Sequence, residues 1–254
     1  MKVTLLGTGT SQGVPVIGCT CEVCRSLDYR NKRLRASVMI QTDGQCFVVD
    51  TGPDFRQQML LENVQRLDAL IFTHAHRDHT GGLDDVRAFN FRQNMDMPVY
   101  ATQPVLDQLK GDFAYAFVKD SYPGLPKLEL HQISNQPFVI NGVRITPLPV
   151  MHLRLPVMGF RIGDFSYITD ANLIFPETFE SLKGTKVLVL NALQIEPHIS
   201  HFNLSEALKM VEIIQPEKAY FTHISHKLGL HSVVERSLPK NVLLAYDGLE
   251  ISIT

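Results

Sequence analysis

The sequence predicts a layered α/β domain with helices packed outside sheet. Three observations lead to that class. Short β-branched or apolar runs recur at residues 3–6, 37–41, 46–49, 69–72, 98–101, 143–148, 160–162, 166–168, 187–190, 219–221, 242–245 and 250–253. Many of them are bounded by Gly, Asn, Asp or Pro, as strands are. Helical patterns fall between the runs, which interleaves the two kinds of element. No internal repeat, low-complexity tract or linker-like stretch divides the chain, so a single domain over 1–254 is expected.

Taken in order, the first run leads into Gly7-Thr8-Gly9-Thr10 and lacks the apolar core and cleavage site of a signal peptide. Gly44, Asn141-Gly142 and Gly163-Asp164 read as hairpin turns. Pro53 opens a helix over 53–61, a second covers 82–89, and a short one covers 104–109. The clearest helix follows Asn203, an N-cap with Glu206 three residues on. Leu204, Ala207, Leu208, Val211 and Ile214 mark its apolar face, and Pro216 ends it. Hydrophobic residues make up 44% and charged residues 20%, enough to bury a sizeable core. A net charge of −2 and a pI near 6.5 give no general pull toward nucleic acid or a membrane surface. No window approaches the ~18 apolar residues of a membrane span, and a cytoplasmic protein is expected.

Four of the strand-like runs end in a metal-competent side chain. Ile71-Phe72-Thr73 leads to His74, Pro149-Val150-Met151 to His152, Tyr167-Ile168-Thr169 to Asp170, and Tyr220-Phe221-Thr222 to His223. Sites on α/β scaffolds assemble at such strand ends. The first is the densest: His74, His76, Asp78 and His79 lie within six residues. On a loop leading into a helix, residues two apart face one ion while the next pair turns toward another. Imidazole with carboxylate suits Zn, Mn, Fe or Ni. Cys19, Cys21 and Cys24 form a second cluster, too tight for good disulfides and of the kind that binds metal in a reducing compartment. Structural zinc takes four ligands, and His226 in Thr222-His223-Ile224-Ser225-His226 is the best fourth. Cys46 stands alone in a strand and reads as an inert buried thiol.

The run HxHxDH at 74–79 with Thr80-Gly81-Gly82, the opening Leu5-Leu6-Gly7-Thr8-Gly9-Thr10, and Val49-Asp50-Thr51-Gly52 together resemble the metallo-β-lactamase superfamily. The resemblance covers essentially the whole chain and implies a four-layer αββα sandwich. By it, His74, His76 and His152 hold one divalent metal and Asp78, His79 and His223 the other. Asp170 bridges them, and Asp50 orients the histidine loop from behind. The metals so implied are two Mn or Zn, with Fe or Ni as further options, plus one structural Zn on Cys19, Cys21, Cys24 and His226 in a loop over 19–35. That Cys3His pattern resembles the cyclic-phosphate phosphodiesterases of the carbon–phosphorus lyase pathway. An Asp bridge suits phosphodiesterases and lactone or thioester hydrolases, with a hydroxide between the ions as nucleophile. Asp78 and His201 are the catalytic candidates. His201, just ahead of the capped helix, matches a histidine that contacts phosphate and protonates the leaving oxygen in relatives, and it is preferred to His198. His131 and His231 are taken as surface or packing residues.

The segment 111–127 holds Phe113, Tyr115, Phe117, Tyr122, Pro123 and Gly124. It reads either as a substrate flap or as local packing of an insertion. The leading functional expectation is a metal-dependent phosphodiesterase for a small cyclic phosphate or nucleotide-like diester. A tRNA 3′-processing endonuclease is second, disfavoured by the lack of a Gly/Pro-rich arm and by the negative charge. A lactone or thioester hydrolase and a non-catalytic metal-binding module complete the alternatives. The expected partner is a small phosphodiester, with no membrane and with nucleic acid disfavoured; a homodimer is left open. Asp247, near the C-terminus, reads as a turn residue.

Overall fold

A computed structural model describes residues 1–118 and 122–254. Its strands form two facing sheets. The first contains β1 (Lys2–Gly7), β2 (Ser37–Thr42), β3 (Gln45–Val49), β4 (Ala69–Ile71), β5 (Met97–Thr102) and β6 (Leu128–Ile133). The second contains β7 (Phe138–Ile140), β8 (Val143–His152), β9 (Leu155–Ile162), β10 (Phe165–Ile168), β11 (Leu173–Ile174), β12 (Val187–Asn191), β13 (Lys218–Thr222) and β14 (Val242–Leu244). The last strand, β15 (Leu249–Ser252), returns to the first sheet, giving the order β15-β1-β2-β3-β4-β5-β6. The second runs β11-β8-β9-β10-β12-β13-β14, with β7 paired to β8. In both sheets antiparallel pairing gives way to parallel pairing, from β3 onward in one and from β10 onward in the other.

Strand periodicity produces the layers. Alternate side chains point to opposite faces, so Phe47 and Val49 enter the space between the sheets while Cys46 and Val48 face out. Between the sheets Val3, Leu5, Phe47, Val49 and Ile71 meet Ile145, Phe160, Tyr167 and Val189. Outside the first sheet, Val48, Leu70 and Phe72 pack on Met59 of α2 (Phe55–Leu61), Phe89 of α4 (Arg87–Gln93) and Leu106 of α5 (Gln103–Asp112). Outside the second, Leu188, Leu190 and Phe221 pack on Leu182 of α6 (Pro176–Leu182), Ala207 and Val211 of α7 (Leu204–Ile214), and Val234 of α8 (His231–Val234). Two short helices, α1 (Glu22–Arg25) and α3 (Arg77–Thr80), lie in the two cysteine- and histidine-bearing loops. The result is the αββα sandwich.

The three expected hairpin turns join β2 to β3, β7 to β8 and β9 to β10. Asn141 at φ 49° and Gly142 at φ 88° supply the left-handed pair that a tight hairpin requires. The capping box on α7 forms as read, with Asn203 Oδ1 accepting from Glu206 N at 2.9 Å and Glu206 Oε2 accepting from Asn203 N at 2.9 Å. The helix expected over 82–89 divides into a tight turn at Leu83–Val86 and α4. The Gly82 N–H donates to Thr51 O at 2.8 Å, which ties the start of the segment to the loop after β3. β6, β7, β11 and α6 were not among the expected elements. No helix among the described residues is long and apolar enough to cross a membrane.

Candidate metal centre

The strand-end residues converge at one end of the two sheets. His74 stands three residues beyond β4, His152 is the last residue of β8, Asp170 follows β10 by two, and His223 follows β13 directly. Glycine makes the close approach. A Cβ on Gly52 would lie 2.3 Å from Asp78 O, and one on Gly82 would lie 2.2 Å from Gly52 O. The 74–82 loop therefore packs directly on the end of β3. Asp50, Asp170 and His223 sit in the left-handed region at φ 65°, 59° and 55°. Such conformations cost energy and concentrate where side chains must be aimed.

Asp170 is the hub. Its Oδ2 lies 3.3 Å from His79 Nε2, 3.4 Å from His201 Nε2 and 3.7 Å from His74 Nε2, while Oδ1 lies 3.1 Å from His223 Nε2. Asp78 Oδ2 is 3.3 Å from His79 Nε2 and 4.0 Å from His223 Nε2. Ligand atoms gather within 4.8 Å in three overlapping sets: Asp78, His79, Asp170, His223; then His74, His76, Asp170; then His152, Asp170, His201. The structure thus brings together Asp78, His79, His223 and Asp170, the residues expected around the second metal. His152 joins Asp170 and His201 rather than closing on both His74 and His76, although its ring lies 5.2 Å from that of His76 and 5.9 Å from that of His74.

What lies behind the rings decides which nitrogen faces inward. Asp50 is fully buried and accepts from Thr73 N at 2.9 Å, Thr73 Oγ1 at 2.8 Å and His79 Nδ1 at 2.7 Å. Thr73 Oγ1 has one proton and gives it to Asp50, so it accepts from His74 Nδ1 at 2.9 Å. His152 Nδ1 donates to Ser200 O at 2.8 Å. Each of these rings turns its Nε2 toward the centre. The Nε2 atoms of His79 and His223 are buried without a hydrogen-bond partner, a costly arrangement unless a cation occupies the space. Ligands must be neutral imidazole and ionised carboxylate, and His74, His223 and Asp170 match that. Burial alone would lower His79, but Asp170 and Asp50 hold it well above its ordinary value. Burial holds His74 far below its ordinary value, and burial lowers His223 to about 4. Burial alone would raise Asp170, yet His223 and His79 hold it far below the usual carboxylate range. Two divalent cations fit this donor set.

The cysteine loop also closes. Cys19 Sγ and Cys21 Sγ each lie 3.3 Å from His226 Nδ1, and Cys24 Sγ completes the four-atom cluster. The Cys24 N–H and His226 pull the Cys21 thiol down to about 6, whereas burial pushes Cys24 up to about 11. Three thiols and one imidazole fit a tetrahedral zinc.

His201 is buried against the hub, its ring 4.4 Å from that of His152 and stacked 4.8 Å from that of His223. His198 lies one layer out, its Nδ1 3.3 Å from His201 Nδ1. Asp247 does more than form a turn: it accepts from Thr8 Oγ1 at 2.7 Å and from Leu34 N at 2.6 Å. The buried Arg33 donates to Thr8 Oγ1, to Ala245 O and, at 3.1 Å, to His231 Nδ1. His231 is thus a buried member of a polar network, while His131 stacks on Tyr100 at 4.5 Å. Part of the aromatic segment, 119–121, lies outside the described residues. Of the rest, Phe113 is core, with the Arg77 guanidinium 5.6 Å above its ring, and Tyr115 reaches Asp84. Tyr122 is exposed.

A family model for the beta-lactamase superfamily domain matches residues 45–224. The solved structure of a diphosphatase from the PhnP family superposes with a TM-score of 0.93 at 38% identity, covering 100% of this chain and 98% of that one. An octanoyltransferase from Porphyromonas gingivalis is 41% identical over 256 residues, which is all of this chain and 52% of the relative; the chain therefore spans about half its length. The anti-Pycsar protein Apyc1 of Paenibacillus harenae is 27% identical over 239 residues, covering 88% of this chain and 89% of that protein. Fold, matched family and the inward-facing donor set agree: the chain belongs to the metallo-β-lactamase superfamily and, within it, to the PhnP-like members.

Proposed function

We propose that the chain is a phosphodiesterase acting on a small cyclic phosphate or nucleotide-like phosphodiester. The observation that carries this reading is His201 Nε2, which lies 3.4 Å from Asp170 Oδ2 and groups with His152 and Asp170, apart from His74 and His76 and from Asp78, His79 and His223. With His152 assigned to the ion of His74 and His76, the His201 imidazole is left over and in reach of a group seated on the centre. In this reading His74, His76 and His152 hold one ion, Asp78, His79 and His223 the other, and Asp170 lies between them. When bound, two such ions supply Lewis-acid charge to phosphoryl oxygens and acidify water. His201 holds a proton at Nε2 for the departing oxygen, and Ser200 Oγ, 3.0 Å from its Nδ1, fixes the ring. Asp78 contributes a fixed negative charge beside His79 and His223. The Cys3His cluster holds a structural zinc, and free thiols at these positions suit a reducing cytoplasm.

The PhnP-family relative is a diphosphatase, which supports phosphoryl chemistry. One observation favours a second reading, a lactone or thioester hydrolase: the relative at 41% identity, half of whose length the chain spans, is named for octanoyl transfer. The two readings separate on a panel of bis(p-nitrophenyl) phosphate, 2′,3′-cyclic nucleotides, octanoyl thioester and acyl-homoserine lactone. The phosphodiesterase reading expects turnover of the first two at least 100-fold above the last two. The reverse order would replace it with the acyl reading.

A further inference from the structure

One lip of the centre carries three exposed hydrocarbon side chains, two of them flanking the exposed Arg154. Leu153, Leu155 and Ile199 are 51%, 37% and 74% exposed beside a site built of His and Asp. Backbone bonding fixes where they stand. Leu155 is the direct ladder partner of His152 across β8 and β9, so the two side chains share one face of that pair. Leu153 N donates to Asn172 Oδ1 at 2.8 Å, and Asn172 Nδ2 donates to Ile199 O at 3.2 Å. The next carbonyl along, Ser200 O, is the one that receives His152 Nδ1. A single asparagine thus clasps the β8–β9 tip to the loop bearing His201, and the lip lies on the His201 side.

Leu153 is also held against its conformational preference. Nine non-glycine residues among those described have positive φ, and eight are Asp, Asn, Gln or His; Leu153, at φ 57°, is the one hydrocarbon. For such a residue the left-handed region is unfavourable, and asparagine would sit there more easily. Leu153 opens the two-residue turn Leu153-Arg154 between β8 and β9, and that tight turn imposes the positive φ; the turn thereby presents an exposed leucine beside His152.

We propose that Leu153, Leu155 and Ile199 seat an aliphatic arm of the substrate, on the side where His201 serves the departing oxygen. These three side chains are hydrocarbon; the polar groups around them are Arg154, exposed between Leu153 and Leu155, and His198, which stands against His201. An alkyl arm is what the three can desolvate. The anionic head group in this proposal rests on the phosphodiesterase reading, whereas the arm does not.

The test is calorimetric titration of the metal-loaded protein with n-alkyl phosphates from ethyl to octyl. Binding should tighten about two- to fourfold per added methylene, the range for partial to full burial of each group. Leu153→Asn should keep or raise the melting temperature and bind ethyl phosphate as the wild type does, yet bind octyl phosphate at least tenfold more weakly. Leu155→Asn and Ile199→Asn should flatten the same series. Equal binding of ethyl and octyl phosphate by the wild type, no binding of either, or an unchanged slope in all three variants would overturn the proposal. A steep slope without turnover of any diester would leave the lip standing and remove the diester reading; diester turnover with a flat slope would do the opposite.

Discussion

Two nitrogens on every imidazole make a metal site a question of what stands behind each ring. Asp50 takes Nδ1 of His79, Thr73 takes that of His74, and the Ser200 carbonyl takes that of His152. Those bonds fix tautomers and leave Nε2 facing inward. The ligands themselves were readable in the sequence because metal chemistry admits few residue types and these stood at strand ends. Their supports were not: threonine is common, and a backbone carbonyl belongs to every residue. Asp50 was readable only through the resemblance, since a strand-end aspartate is equally at home in a turn. His201 carries the sharpest prediction at this scale. His201→Ala should lower turnover about 10²–10⁴-fold, the range of a general acid, while the metal content measured by elemental analysis stays at the wild-type level. Wild-type rates would exclude the role.

The two ligand-bearing loops are linked at the level of elements. Thr8, at the end of β1, accepts Ile224 N at 2.8 Å, and Ile224 follows His223. Thr8 is in turn held by Asp247 and Arg33, and His226 belongs to the cysteine cluster. The loop presenting His223 is therefore braced from both sides. Cys21→Ser should lose one zinc per chain and lower both the melting temperature and diester turnover. Unchanged metal content in that variant would remove the structural zinc. Elements with strong local signals were legible, among them the capped α7 and the three hairpins. α6 was not, because seven residues beginning at Pro176 offer too little apolar periodicity. β6 was not either, since three of its six residues, LELHQI, are polar or charged. Nor was the Arg33–His231 contact, which spans 198 residues and leaves no local trace.

At the scale of the molecule, the centre is a seam. His74, His76, Asp78 and His79 come from the loop after β4 in one sheet, whereas His152, Asp170 and His223 come from strand ends in the other. Ions bound there join the two sheets, so binding is coupled to folding stability. A surface groove of about 760 Å³ lies elsewhere, around the β2–β3 turn at Asp43 and Gly44, the opposite end of β3 from Asp50. Function is placed by converging ligands rather than by hollow volume. Chelation should lower the melting temperature, and restoring divalent metal to ~100 times its dissociation constant should return about 2.7 kcal/mol per site. A melting temperature indifferent to chelation would mean that the seam closes without metal.

The count of bound ions tests the central claim most directly. Elemental mass spectrometry of the purified chain, loaded with Zn²⁺ or Mn²⁺ and freed of excess, should give three divalent ions per chain, two for the seam and one for the cysteine cluster. A count of one or none would contradict a dinuclear centre at His74, His76, Asp78, His79, His152, Asp170 and His223.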